Sequence, residues 1–118
     1  MKSVLLISHG SYSPKTKKEV KTLVENLKKK SKAKIFYFAF LEIASPSIPE
    51  GIDLCVADGA TEVIVLFNFL NSGKHVDEDI PRIVKAVIRK YPRINVRITK
   101  PVGQHVNIVD LFLELIAA

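Results

Sequence analysis

An unbroken apolar run near the N-terminus, Val4-Leu5-Leu6-Ile7, most limits the folds open to this chain. A strand with one face against the core and one face in solvent alternates apolar and polar residues, whereas a strand with helices on both of its faces is apolar throughout. Residues 2–8 therefore predict a central strand of a parallel sheet. Parallel neighbours need long crossover connections, so the segments that follow must supply helices.

The rest of the chain alternates helix and strand patterns in the way that a parallel sheet requires. Helices are predicted from residue 14 to about 30, from the Ser45-Pro46-Ser47-Ile48-Pro49 segment to Gly59, from 77 to about 91, and after Pro101-Val102-Gly103; strands are predicted at 33–41, 61–67 and 94–99. Four strand–helix units predict an α/β fold, with a four-stranded, mainly parallel sheet, right-handed crossovers and helices on both faces. We expect one domain over residues 1–118.

Composition and charge exclude several classes of function. No apolar run approaches the roughly 20 residues of a membrane span, and the N-terminal run is too short for a signal peptide, so we expect a cytoplasmic protein with no membrane partner. Lysines between residues 15 and 34 supply much of the net charge of +6. No zinc finger, recognition helix or aromatic platform accompanies them, so no nucleic-acid partner is predicted.

The single Cys55 is expected to be a buried small hydrophobe.

Two histidines lie in glycine-containing turns at the C-terminal ends of predicted strands. His9 is in Ile7-Ser8-His9-Gly10-Ser11, and His75 is in Asn71-Ser72-Gly73-Lys74-His75. The carboxyl ends of parallel strands meet at the edge where open α/β sheets bind ligands. Imidazole is a common ligand for divalent transition metals and accepts a proton near neutral pH. The sequence therefore predicts a metal site or an acid/base pair at His9 and His75, whereas His105, at the start of the last helix, is expected to be structural.

Other candidate side chains carry weaker signals. Ser11 and Ser72 lie near the histidines, but no Gly-x-Ser-x-Gly elbow, Walker A loop or Gly-x-Gly-x-x-Gly fingerprint is present. Asp77 and Asp79 are expected to be N-terminal helix caps rather than metal ligands. For Glu42, guidance of a metal ion and a salt bridge at a strand end are equally open interpretations.

The last predicted helix is apolar on nearly all sides, through Ile108, Val109, Leu111, Phe112, Leu113, Leu115 and Ile116. A helix with so little polar surface is expected to be covered on more than one side. Another subunit is one source of that cover.

Four segments together resemble the small form of the CbiX family, whose members are class II chelatases that act on sirohydrochlorin. These segments are Val4-Leu5-Leu6-Ile7-Ser8-His9-Gly10-Ser11, Leu41-Glu42 with Pro46-Ser47-Ile48, residues 69–81, and Pro101-Val102-Gly103. They occur in the family's order over essentially the whole chain. The most specific part is the Gly-x-His-x-x-x-Asp-Ile-Pro segment that contains His75.

The resemblance implies a flavodoxin-like chelatase half-domain that works as a homodimer with the cleft between subunits. The implied activity is ATP-independent insertion of a divalent metal ion, with Co²⁺ favoured and Ni²⁺ or Fe²⁺ as alternatives, into sirohydrochlorin during cobalamin, F430 or sirohaem biosynthesis. The metal is a substrate, and no permanent cofactor is expected. By the same resemblance, His9 and His75 are the catalytic residues and metal ligands, and His9 is also the candidate acceptor of a pyrrole proton.

The resemblance also assigns a macrocycle pocket and two accessory residues. The pocket residues are Ser45, Leu70, Asn71, Ser72, Gly73, Lys74 and His75, and the accessory residues are Glu42 and Ser11. Two other classes of function stay open at this point. One is a non-catalytic tetrapyrrole or metal carrier, or an inactive subunit, that uses the same pocket. The other is a phosphate- or nucleotide-binding module that uses the turn at residues 8–11 and the following helix N-terminus.

Overall fold

The computed structural model describes all residues 1–118 and contains one sheet of four strands in the order β2-β1-β3-β4. The strands are β1 (Lys2–Ser8), β2 (Ile35–Phe40), β3 (Glu62–Phe67) and β4 (Asn95–Pro101). All three pairings are parallel, and β1 lies between β2 and β3. The predicted α/β sheet is therefore confirmed, and it is entirely parallel rather than mainly so.

Helices cover both faces of this sheet, as predicted. The helices are α1 (Pro14–Lys30), α2 (Ile48–Ala57), α3 (Ile80–Ile88) and α4 (Ile108–Ala117). On one face, Val20 and Val24 of α1 pack with Leu6 of β1. The larger core lies on the other face, where α2 and α3 pack against the sheet; its fully buried members include Leu5 and Ile52. Successive residues of β1 thus serve both cores, which is why its apolar run has no polar interruption.

A capping box fixes the start of α2. The Ser47 hydroxyl accepts a hydrogen bond from the Glu50 N–H at 3.3 Å, and the Glu50 carboxylate accepts one from the Ser47 N–H at 2.9 Å. The backbone hydrogen bond from Ser47 lowers the pKa of Glu50. The stabilisation from this ionised carboxylate is therefore present above its ordinary pKa and is lost as the pH falls through the lowered value.

A π-helical turn, His75–Asp79, leads directly into α3. Its closing hydrogen bond runs from the Ile80 N–H to the His75 carbonyl, five residues back. Pro81 gives a physical reason for the wider turn, because proline has no N–H to donate and its ring collides with the carbonyl four residues back in a regular helix. The prediction of caps at Asp77 and Asp79 is wrong, since the helical conformation already begins before them and neither start has a side-chain cap hydrogen bond.

The last helix, α4, has no buried residue. It follows the 3₁₀ turn Val102–Gln104. Its exposed side chains include Leu115, 72% exposed, and Ile116, 78% exposed. An apolar groove of about 550 Å³ lies on the α1 face, lined by Leu6, Leu23, Leu27, Leu66, Val102 and Val106 among others. The fold of one chain therefore leaves both a helix and a groove without apolar cover.

Cys55 is buried in α2, and burial raises the pKa of its thiol to about 11. The thiol is thus protonated and packed at neutral pH, which confirms the expectation of a small hydrophobe. None of the helices combines the length and apolar composition that a membrane crossing needs. The cytoplasmic location stays a prediction.

Gly51 lets α2 approach the sheet closely, and this contact generates a stability prediction. A Cβ atom at Gly51 would lie 2.9 Å from both the Ala39 Cβ and the Leu5 Cδ1 atoms. We expect Gly51→Val to lower the free energy of unfolding by about 1–3 kcal/mol through overpacking. Urea unfolding measures this change. Leu54→Val is the control for a β-branched residue in the same helix, because Leu54 is 40% exposed; equal effects of the two substitutions would contradict the prediction.

Candidate metal centre

Three ligand side chains converge at the carboxyl edge of the sheet. His9 directly follows β1, Glu42 follows β2 by two residues, and His75 comes after the loop at residues 68–74 that follows β3. One ligand atom from each of these residues lies within 4.8 Å of the others. The His9 and His75 ring centroids are 5.4 Å apart, and His9 Nε2 lies 2.9 Å from Glu42 Oε1.

Gly10 allows the His9 turn and the Glu42 loop to touch. Its φ angle is +114°, and a Cβ atom on it would lie 1.8 Å from the Glu42 carbonyl oxygen. The Glu42 N–H donates to the His9 carbonyl at 3.1 Å. Only glycine combines this backbone conformation with so close an approach, so Gly10 fixes the distance between the two ligand-bearing loops.

A strained residue follows Glu42 directly. Ile43 has a φ angle of +74°, and the Ala44 N–H donates to the Glu42 carbonyl at 2.8 Å across it. This is a γ-turn in the left-handed region, which is unusual for a β-branched residue. Such strain clusters at functional sites. This feature could not be predicted, because nothing in an isoleucine signals a positive φ angle.

The π-helical turn orients His75. The His75 Nδ1 atom lies 2.8 Å from Asp79 Oδ2, and the Asp79 side chain is only 17% exposed. Arg82 reaches to 3.5 Å of the other carboxylate oxygen. Asp79 is thus a partner of His75 rather than the predicted cap, and the spacing of four residues within the Gly-x-His-x-x-x-Asp segment is the sequence signal for this pairing on a helical turn.

Hydrogen bonds fasten the loop at residues 68–74 at both ends. The Asn68 side chain donates to the Ser8 hydroxyl at 3.0 Å, and Gln104 Nε2 donates to the Ser72 hydroxyl at 2.5 Å. Gly103 donates its N–H to the Phe69 carbonyl at 3.1 Å and passes so near that a Cβ atom on it would lie 1.8 Å from the Leu70 carbonyl oxygen. The loop that precedes His75 is therefore held by both β1 and the 3₁₀ turn that follows β4.

The structure places the other sequence-predicted site residues at this edge but not in the ligand cluster. Ser45 is exposed on the loop after β2, and the predicted pocket residues of the loop after β3 are also exposed, namely Leu70, Asn71, Ser72, Gly73 and Lys74. The Ser11 hydroxyl accepts a hydrogen bond from the Ser13 N–H at 3.1 Å, so it shapes the turn before α1. His105 Nδ1 accepts from the Asn107 N–H at 3.0 Å before α4, which fits the structural role expected for it.

Two imidazoles and one carboxylate form an open ligand set. The His9, His75 and Glu42 side chains are 45%, 47% and 53% exposed, so solvent and solutes reach them. Imidazole and carboxylate together suit divalent first-row transition metals, and three protein ligands leave coordination positions open. The same groups accept protons. The arrangement is therefore suited to hold a metal ion transiently and to take up a proton beside it.

Comparisons with known proteins point to one family. The CbiX family model matches residues 3–118. A sirohydrochlorin ferrochelatase from Priestia megaterium is 33% identical over 116 residues, which cover 98% of this chain and 44% of the relative. A sirohydrochlorin cobaltochelatase from Methanococcoides burtonii is 31% identical over 119 residues, covering 94% of this chain and 91% of the relative.

A solved structure matches the fold closely. The sirohydrochlorin chelatase SirB from Bacillus subtilis subspecies spizizenii, crystallised in complex with cobalt, has a TM-score of 0.90 at 28% identity, and the match covers 98% of this chain and 50% of SirB. The chain spans less than half the length of the first curated relatives that it matches, with shares from 36% to 48%.

The Gly10 contact generates a prediction about metal binding by the protein alone. Gly10→Ala is expected to weaken Co²⁺ binding, because the new Cβ atom displaces the Glu42 carbonyl and with it a ligand. Gly59→Ala is the matched control, since Gly59 also has a positive φ angle, +98°, but a Cβ atom there meets nothing within 4 Å. Calorimetric titration with Co²⁺, with circular dichroism to verify folding, makes the comparison. The same loss of Co²⁺ affinity in both variants would show that backbone strain, not the Glu42 contact, is responsible.

Proposed function

The chain belongs to the CbiX family, and we propose that it catalyses the ATP-independent insertion of a divalent metal ion into sirohydrochlorin. The observation that carries the proposal is the convergence of His9, Glu42 and His75 within 4.8 Å at an exposed edge of the sheet. Relatives that match nearly the whole chain are named sirohydrochlorin chelatases. The same residues would also suit a non-catalytic carrier of the metal or the tetrapyrrole. Only a chelatase accelerates metal insertion, so an assay of turnover distinguishes the two functions.

The reaction exchanges one metal ion for two pyrrole protons, so the site must deliver the ion and accept protons. We propose that His9, Glu42 and His75 hold the incoming ion while the open coordination positions admit the macrocycle nitrogens. As the ion passes to the macrocycle, the freed His9 imidazole accepts one pyrrole proton and solvent water accepts the other. The His9 Nε2 atom lies 2.9 Å from the half-exposed Glu42 carboxylate, which provides a route to solvent for the proton that His9 accepts.

The macrocycle is proposed to lie against the exposed loops at this edge, lined by Ser45, Leu70, Asn71, Ser72, Gly73 and Lys74. Leu70 is 59% exposed and offers apolar contact to the ring. Sirohydrochlorin carries carboxylate side chains, and the Lys74 ammonium group is suited to pair with one of them. The net charge of +6 favours approach of such a polyanion over longer distances.

We propose Co²⁺ as the favoured metal, with Ni²⁺ and Fe²⁺ as alternatives. Two imidazoles and a carboxylate bind all three ions, and their intrinsic order of affinity does not decide which is used in the cell. The relatives are named for both iron and cobalt. The SirB structure with cobalt shows that a protein of this fold accommodates that metal.

We also propose that residues 1–118 form one domain that works as a homodimer. All four strands belong to one sheet, yet α4 exposes its apolar side chains, among them Phe112 and Leu115. The groove beside α1 supplies an apolar surface of the kind that such a helix needs. Because the match covers only half of SirB, a second copy would provide a comparable length of chain.

The assay of turnover follows the absorbance of sirohydrochlorin with Co²⁺, Ni²⁺ or Fe²⁺ under anaerobic conditions. We expect the wild type to accelerate insertion over the uncatalysed rate. His9→Ala and His75→Ala are expected to lose about 100-fold or more of that acceleration, since they remove ligands and a proton acceptor. His105→Ala should retain it. Tight sirohydrochlorin binding without acceleration by the wild type would instead establish the carrier.

The assembly test places a charge on the exposed face of α4. Light scattering is expected to give twice the mass of one chain for the wild type and the mass of one chain for Leu115→Glu, because an ionised carboxylate resists burial in an apolar interface. Leu54→Glu is the control, since Leu54 is an exposed leucine on α2. A wild type that stays monomeric at micromolar concentration, or a dimer that Leu115→Glu leaves intact, would contradict the proposal.

A further inference from the structure

We propose that Asp79 is a positioning residue that orients His75 and makes it the stronger of the two imidazole ligands. The inference rests on the proposed metal-inserting function of the site, which it deepens. It assigns different tasks to the two histidines, with His75 retaining the metal ion and His9 released for proton transfer. Three features of the structure carry it: a contact, the packing of Asp79, and a contrast with His9.

The contact between His75 and Asp79 fixes which ring nitrogen faces the metal. His75 Nδ1 lies 2.8 Å from Asp79 Oδ2. An ionised carboxylate only accepts hydrogen bonds, so Nδ1 must carry the hydrogen. The neutral ring then has its free lone pair on Nε2, the remaining ligand atom. A carboxylate behind a ligating imidazole also makes the ring a better donor to the metal.

Asp79 is itself held in place, as a positioning residue must be. Its side chain is 17% exposed, against 47% for His75, and Arg82 approaches its second oxygen to 3.5 Å. The two partners begin and end the π-helical turn His75–Asp79. Asp79 makes no cap hydrogen bond to the start of α3, so the cap explanation for its carboxylate fails.

His9 has a weaker partner behind its ring. Its Nδ1 atom faces the Gly10 carbonyl oxygen at 3.3 Å, a neutral acceptor at a longer distance than the Asp79 carboxylate. Its Nε2 atom faces Glu42. Hydrogen bonds to charged groups are shorter and about twice as strong as those between neutral groups. The two imidazoles at the site are therefore unequal, because only His75 has a carboxylate from outside the ligand cluster against its ring.

The first test reads the tautomer of His75 in the protein without metal. Long-range ¹H–¹⁵N correlation spectra of the ring nitrogens are assigned with His75→Gln. We expect the hydrogen of wild-type His75 on Nδ1, and a shift of population toward the Nε2–H form in Asp79→Ala. Asp77→Ala is the control, because Asp77 is an exposed carboxylate in the same turn. An unchanged His75 tautomer in Asp79→Ala would overturn the inference.

The second test measures Co²⁺ affinity without any tetrapyrrole. Asp79→Ala is expected to weaken Co²⁺ binding by about 10- to 100-fold, with Asp77→Ala unchanged. Asp79→Asn keeps the size and one acceptor oxygen but removes the charge, so its affinity is expected to lie between those of the wild type and Asp79→Ala. If Asp79→Ala does not fold, wild-type Co²⁺ affinity in Asp79→Asn overturns the inference by itself.

These two tests are independent of chelatase turnover. A wild type that inserts no metal, together with Asp79-dependent tautomer and Co²⁺ affinity, would overturn the proposed function and leave the positioning role standing. Normal metal insertion with Co²⁺ affinity that does not depend on Asp79 would do the reverse.

Discussion

The parallel register of β1 with its two neighbours is the constraint on which the candidate site depends. The backbone hydrogen bonds between neighbouring strands continue past the ends of the strands. The Leu41 N–H donates to the Ser8 carbonyl and the Asn68 N–H donates to the Ile7 carbonyl, both at 2.9 Å. The loops that carry the ligands thus begin at fixed positions relative to one another. A slip of this register would separate His9 from both Glu42 and His75 at once.

Sequence patterns were sufficient where a residue type has one common structural use. Val4-Leu5-Leu6-Ile7 predicted a strand buried on both faces, Pro14 marked the start of α1, and the two histidines beside glycines indicated the edge at which the structure brings them together. The position of Asp79 could not be obtained in the same way. An aspartate before an isoleucine–proline pair is typical of a helix start, and its pairing with His75 requires that the helical conformation begin four residues earlier, at His75. The positive φ angle of Ile43 has no sequence signal, because it arises from the closure of the loop between β2 and α2.

Rigidity and exposure are divided between backbone and side chains at this edge. Backbone contacts of Gly10 and Gly103 fix the loops, while the side chains of Glu42, Leu70 and Lys74 point away from the core and stay accessible. This division suits a site whose metal ion must arrive and leave. Ligands that were buried and fully coordinated would bind the ion more tightly but would obstruct its transfer to a planar acceptor. In the proposed division of tasks, His75 retains the ion without completing its coordination.

The close approach of Gly103 to Leu70 joins two regions that otherwise have separate tasks. The turn that contains Gly103 leads into α4, whose apolar face needs cover, and it also contacts the loop that precedes His75. If this contact couples the position of α4 to the shape of the loop, the coupling free energy is the same in both directions, because thermodynamic linkage is reciprocal. In the proposed homodimer, subunit association that favours one shape of the loop therefore tightens binding of a tetrapyrrole that needs that shape. In that proposed assembly the tetrapyrrole strengthens subunit association by the same factor, so that protein concentration and substrate concentration both control the number of complete sites.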